Sequence, residues 1–126
     1  MIFYENACSR MCQVEGIRFI AIINKNGRRI AGGFNGKIIP LEKNEQKMEM
    51  MFMELTLDLS MRKEFDNSLG YIHAIVSYRD NATIISIPHQ ENLVVLSVEP
   101  ELDPSKIIQI IQQNLASDKI MEVMIQ

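Results

Sequence analysis

The strongest constraint on this chain is the spacing of three β-rich runs near its middle. Tyr71 to Tyr78, Ala82 to Pro88 and Leu93 to Val98 are rich in Ile, Val and Tyr. Asp80-Asn81 and Glu91-Asn92, both favourable turn pairs, separate them. A parallel crossover needs a dozen or more residues, so the three runs form an antiparallel meander. Their faces are apolar on both sides: Ile72, Ala74 and Val76 against Ile75 in the first, and an unbroken Leu93-Val94-Val95-Leu96 in the third. A sheet wetted on one side would alternate, so this one is expected to be covered on both faces.

The preceding half supplies the rest of the sheet. Phe3, Ala7, Met11 and Val14 recur at helical spacing, with Gly16 placed to stop the helix, which predicts an amphipathic helix over about 3–14. Ile17 to Ile23 reads as a strand, and Arg28 to Phe34 reads as its return. Asn26-Gly27 between them predicts a type I′ turn. Residues 35–42, containing Gly36 and Pro40, read as a connector. Asp103-Pro104 offers an N-cap followed by proline at the first helical position. Ile107, Ile108, Ile110, Ile111 and Leu115 then build an apolar helix to about Ala116. Ser117-Asp118 starts a separate short helix holding Ile120, Met121, Val123 and Met124. The order is helix, strand, strand, long helix, three strands, helix. The expected fold is α+β, a three-layer α/β/α sandwich around a five-stranded antiparallel sheet.

The long helix, Lys43 to Lys63, has no Gly or Pro and carries five of the nine methionines. At 100° per residue it presents two apolar stripes. Met48, Met51, Phe52, Leu55 and Leu59 make one; Met50, Met53, Leu57 and Met61 lie almost opposite. Glu49, Thr56 and Ser60 separate them on one flank, and Lys47, Glu54 and Asp58 on the other. An ordinary surface helix has one apolar face. Methionine stripes usually fill cores, and they also serve adaptable binding surfaces. Here a second stripe implies a second partner, either inside the chain or from another subunit, with Phe52 placing the larger stripe on the sheet.

Composition narrows the function further. With 126 residues and a net charge of −3, the chain fits one domain, 1–126, and lacks the basic stripe of a nucleic-acid binder. The start has no basic region followed by an apolar run, and no apolar run approaches the ~20 residues of a membrane span. Cys8 and Cys12 are four apart, but a tetrahedral metal site needs about four ligands, and His73 and His89 do not complete the spacing. They read as reduced small hydrophobes in a cytoplasmic protein. Gly32-Gly33-Phe34-Asn35-Gly36-Lys37 fails as a phosphate loop, because Ile38 stands where Ser or Thr is required. No Ser, Cys or acidic residue has the spacing that pairs a nucleophile with a base. No enzyme activity, cofactor or metal is therefore expected.

The sequence resembles the roadblock/dynein light chain family, of profilin-like fold. The resemblance rests on Val14-Glu15-Gly16-Ile17, Asn24-Lys25-Asn26-Gly27, Ile30-Ala31, Leu69-Gly70 and Leu93-Val94-Val95-Leu96. It covers about residues 5–115, with a tail at 117–126, and departs at the Gly36–Glu42 connector and in the methionine-heavy helix. It implies a homodimer or heterodimer with a related domain, built from side-by-side long helices and paired third strands. It also implies scaffolding or regulation of a small Ras-like GTPase without an active site. The implied dimer interface comprises Met50, Met53, Leu57, Met61, Tyr71, His73 and Ile75. His73 at a paired edge could tune association by titration, although an ordinary edge histidine is the simpler reading. Arg28 and Arg29 read as a solvated hairpin. The alternative class is a PAS-like small-molecule sensor, which needs a pocket between sheet and helices. The Ile, Val and Leu of the strands predict filling instead.

Overall fold

Strands that are apolar on both faces need a layer on each side, and the chain supplies them unequally. The computed structural model describes the backbone of residues 2–125 and the side chains of residues 2–116. The elements are α1 (Ile2–Met11), β1 (Ile17–Ile23), β2 (Arg29–Phe34), α2 (Glu45–Arg62), α3 (Asp66–Leu69), β3 (Ile75–Tyr78), β4 (Thr83–His89), β5 (Asn92–Val98) and α4 (Pro104–Ile125). A 3-10 turn, Lys63–Phe65, joins α2 to α3. The five strands form one antiparallel sheet, as the sequence predicts, and their order is β2-β1-β5-β4-β3.

On one face Ile17, Ile20, Ile22, Ile85, Ile87, Val94, Leu96 and Val98 meet Ala7, Cys8 and Met11 of α1 and Ile107, Ile111 and Leu115 of α4. On the other, Phe19, Ala21, Ile23, Leu93 and Val95 meet α2, whose fully buried residues are Phe52 and Leu59. Two helices thus seal one face, and one helix covers the other. The larger stripe of α2 faces the sheet as expected, with Met48, Met51 and Leu55 half-buried beside Phe52 and Leu59.

Several boundaries differ from expectation, each for a local reason. The β1–β2 turn is not type I′, because that type needs positive φ at both central residues. Among described non-glycine residues only Gln90 has one. Asn24 organises the turn instead: its Oδ1 accepts from the backbone N–H of Asn26 and of Arg28, each at 3.0 Å. Gly27 alone takes positive φ, +78°. α1 ends at Met11, and turns at Cys12–Gly16 lead into β1. The last turn of the meander is Gln90-Glu91, not Glu91-Asn92. Asn92 joins β5, where its Nδ2 donates to the Tyr4 hydroxyl at 3.0 Å.

The first half of the predicted third strand, Tyr71 to Ala74, is not strand and lies outside the β3–β4 ladder, which begins at Ile75↔Ser86. Continued in register, His73 would face Pro88, which has no N–H to give. Ile72 accordingly packs with Ile75 on the α2 side rather than with Val76. Asn44 caps α2, accepting from the Lys47 N–H at 3.1 Å, so the helix begins at Glu45 rather than Lys43. Asp103 caps α4 as predicted, accepting from the Ser105 N–H at 3.0 Å. The break expected at Ser117 is absent: α4 continues to Ile125, with no Gly or Pro to stop it. The side chains assigned to the separate last helix lie outside the described residues.

Two predictions follow from this packing. Gly32, at φ +88°, lies so close to β1 that an added methyl would strike the Ile20 carbonyl, whereas at Gly36 it would meet nothing within 4 Å. Gly32→Ala should cost about 1–3 kcal/mol, read from the denaturation midpoint. Gly36→Ala should leave the midpoint in place; equal midpoints for the two variants would contradict the packing. Burial, then the neighbouring Cys12 and Glu5, push the Cys8 thiol up to about 12 from 9.0. Its contribution to stability is therefore present below pH 9.0 and is lost as the pH climbs toward about 12. Near neutral pH Cys8 should resist alkylation in the folded protein and react promptly in denaturant. Equal rates would show that it is not enclosed.

Candidate protein-interaction surface

The second stripe of α2 has no intrachain cover. Met50, Met53, Leu57 and Met61 are 58%, 60%, 61% and 57% exposed. Leu57 and Leu59 are two residues apart, about 200° around the helix, so the stripe points almost directly away from the sheet. The helix itself is secure at both ends: Asn44 caps its start, and the Lys63 N–H bonds the Leu59 and Met61 carbonyls at its end. The stripe is therefore a fixed surface.

It also continues beyond α2. Met53, Leu57, Met61, Phe65 and Leu69 form an unbroken i, i+4 series, carried through the 3-10 turn and α3 to Gly70. Phe65 is exposed, and Leu69 and Tyr71 are 81% and 82% exposed. Reading the helix as ending at Lys63 missed Phe65 and Leu69; extending the i+4 count by two steps would have found them. Exposed large apolar side chains grouped in this way mark a contact surface on a soluble protein.

The flanks of α2 differ from its outer face. Toward the hairpin side, Gly27 sits directly under Met53, where an added methyl would press on the Met53 side chain and Cα. The turn thus props the helix. A cleft of about 450 Å³ opens beside it, lined by Phe19, Phe34, Phe52, Arg28, Glu45 and Glu49 among others. Toward the β3–β4 side lies a second cleft of about 570 Å³, with Phe19, Phe34, Met51 and Val95 below and Lys47, Glu54, Arg79 and Asp80 around it. The filling expected from the strand residues is incomplete on this face, because one helix does not span the sheet. Arg18 ties the connector over this cleft, donating to Glu99 at 2.7 Å and to the Ile39 carbonyl at 2.8 Å. The β3-side flank is charged, with Asp58 and Arg62 paired at 3.0 Å.

The remaining candidates are placed as follows. Tyr71 and His73 are exposed in the segment before β3, while Ile75 is half-buried against the α2 side of the sheet. The predicted interface set therefore divides into an outer helix face, an exposed strand entry and one residue turned inward. His89 does not stand near His73: its Nδ1 is 3.0 Å from the Tyr4 hydroxyl on the α1 side. Cys8 is buried, and the Cys12 thiol lies 3.8 Å from the Gly33 carbonyl. Burial raises both thiols above their ordinary value, the wrong direction for a nucleophile or metal ligand. Among the described residues, no group of three or more His, Cys, Asp or Glu could hold a metal ion, and no helix is long and apolar enough to cross a membrane.

With this geometry in view, the fold has clear relatives. A roadblock/LC7 domain from Streptomyces avermitilis aligns with a TM-score of 0.70 at 10% identity, over 94% of this chain and 97% of that one. MglB of Myxococcus xanthus gives 0.71 at 10% identity over 95% of each chain. The gliding protein MglB of Thermus thermophilus gives 0.73 at 10% identity, over 94% of this chain and 88% of that one. At such identities the likeness carries the fold, which is the roadblock, profilin-like one the sequence resemblance implies. No curated protein matches the sequence. The model of a family of unknown function, DUF6659, matches residues 1–122 of the 126, and the chain belongs to that family.

Proposed function

We propose that this chain, over residues 1–126, is a non-enzymatic, roadblock-type interaction module. It works as a dimer or higher assembly in the cytoplasm, as a scaffold or regulator of a small Ras-like GTPase. The observation that carries the reading is the uncovered apolar face of a firmly capped helix. Covering that face removes apolar surface from water, which stabilises by ~25 cal/mol per Å² gross. Association itself costs about 4–15 kcal/mol or more, and the fixed geometry of the capped helix keeps the ordering part of that cost small. The contact includes Met50, Met53, Leu57 and Met61 with Tyr71, His73 and Ile75, joined by Phe65 and Leu69. The fold shared with the roadblock/LC7 domain and with MglB supports the reading, and the GTPase follows from the sequence resemblance.

A second reading, small-molecule sensing, is favoured by the two clefts, whose volumes lie within the ~300–1,000 Å³ of ligand sites. The two are separable. Wild-type chain should show a light-scattering mass of at least two copies, and Leu57→Asp should lower it. The same wild-type chain, used as bait in its native source, should return a Ras-like GTPase. A wild-type mass of one copy, with neither a related domain nor a GTPase returned by the bait, would sink the module reading. A small molecule released on denaturation, with no protein partner, would favour the sensor.

A further inference from the structure

On the face of the sheet turned to α2, β1 supplies Phe19, Ala21 and Ile23. Their partners in β2 are Phe34, Gly32 and Arg29. The edge strand therefore gives this layer one ring, one bare backbone position and one guanidinium. Arg29 stands there because of a bulge: the register shifts between Ile22 and Ile23, and the extra residue, Ile30, packs into the opposite layer. Bulges of this kind re-aim a side chain and recur beside functional sites. The cleft of about 450 Å³ beside α2 is the space that this edge leaves unfilled. Its floor is aromatic. The Phe19 ring centroid lies 4.8 Å from that of Phe34 and 5.9 Å from that of Phe52, the second pair stacked. One wall is the hairpin, with Arg28 and Arg29; the other is α2, with Glu45 and Glu49 four residues apart on one face. Among the described residues, none of these four side chains makes an ion pair or a hydrogen bond. The close approach of Gly27 to Met53 fixes the spacing of the two walls. The second cleft has no such division of charge: Lys47 and Glu54 share one wall, and Arg79 and Asp80 the other.

We infer that the cleft between the β1–β2 hairpin and α2 binds a small apolar zwitterion, an amino acid or dipeptide with an aromatic or aliphatic side chain. Its carboxylate meets Arg29, with Arg28 beside it. Its ammonium meets Glu49 and Glu45, and its side chain lies on Phe34 and Phe52. The charges select this class. An anion alone satisfies the hairpin and sits beside two unpaired carboxylates; a cation alone does the reverse. A molecule carrying both charges forms charge-assisted hydrogen bonds with both walls. The three rings call for an apolar body. The volume is near the lower end of the ~300–1,000 Å³ of ligand sites, so that body is small. The inference rests on the small-molecule reading above, to which it adds a site and a ligand class. It makes no use of the outer stripe of α2, so the module reading does not depend on it.

The test is an amide NMR titration of the full chain with L-phenylalanine and with L-phenylalanyl-L-leucine, alongside the N-acetyl and C-amide forms of the dipeptide. The expected result is saturable shifts at Gly27, Arg29, Phe34 and Glu49, with Asn81 and Ser97 of the second cleft unmoved. Each blocked form should bind about tenfold more weakly than the free dipeptide. Arg29→Gln should erase the penalty for the C-amide, and Glu49→Gln the penalty for the N-acetyl form. Both positions are exposed, so the variants keep the fold, which their own spectra check. Arg79→Gln, in the second cleft, should change nothing. The inference is overturned if neither probe gives saturable shifts, or if the blocked forms bind as tightly as the free one. Shifts confined to the second cleft also overturn it, and in that case the small-molecule reading stands without this site.

Discussion

Everything in this molecule depends on a sheet that is apolar on both faces and is covered unequally. Phe19, Ala21, Ile23, Leu93 and Val95 turn to one side as firmly as Ile20, Ile22, Val94 and Leu96 turn to the other. Such a sheet folds only when both faces lose water. Two helices close one face. On the other, a single 18-residue helix closes the centre and leaves clefts along its flanks. A helix in that position has a free outer side, and here that side is apolar. The association surface is thus a consequence of the layering.

The layering was legible because it rests on period. The two-sided apolar character of the strands, the short gaps in the meander and the double stripe of α2 are all visible in the residues. Less legible were features decided by one hydrogen bond or by its absence. Asn26-Gly27 favours a type I′ turn, yet the Asn24 side chain bonds two backbone N–H groups and draws the loop into another shape. Tyr71 to Ala74 have strand composition, yet Pro88 offers them no N–H to pair with. Asn92 reads as a turn residue, yet its amide reaches Tyr4 across the sheet.

The candidate surface divides in the same way. Met50, Met53, Leu57 and Met61 could be placed on one face by spacing alone, and that face is bare. Phe65 and Leu69 were hidden because Lys63-Glu64 looks like an ending, whereas the 3-10 turn carries the i+4 series onward. The clefts could not be read at all: they depend on how far one helix reaches across five strands. Gly27 shows how finely that reach is set, since the turn touches α2 at Met53 with no room for a methyl group.

The central claim is that the outer methionines of α2 are contact residues in the working protein. Methionine methyl groups are good reporters, and the chain carries its own control, since Met11 is wholly buried in the opposite layer. Methyl NMR of the full chain at assembly concentration, with a soluble paramagnetic agent, measures their access to solvent directly. The account predicts that Met50, Met53 and Met61 are shielded nearly as well as Met11. Broadening of all three, with Met11 untouched, would contradict it.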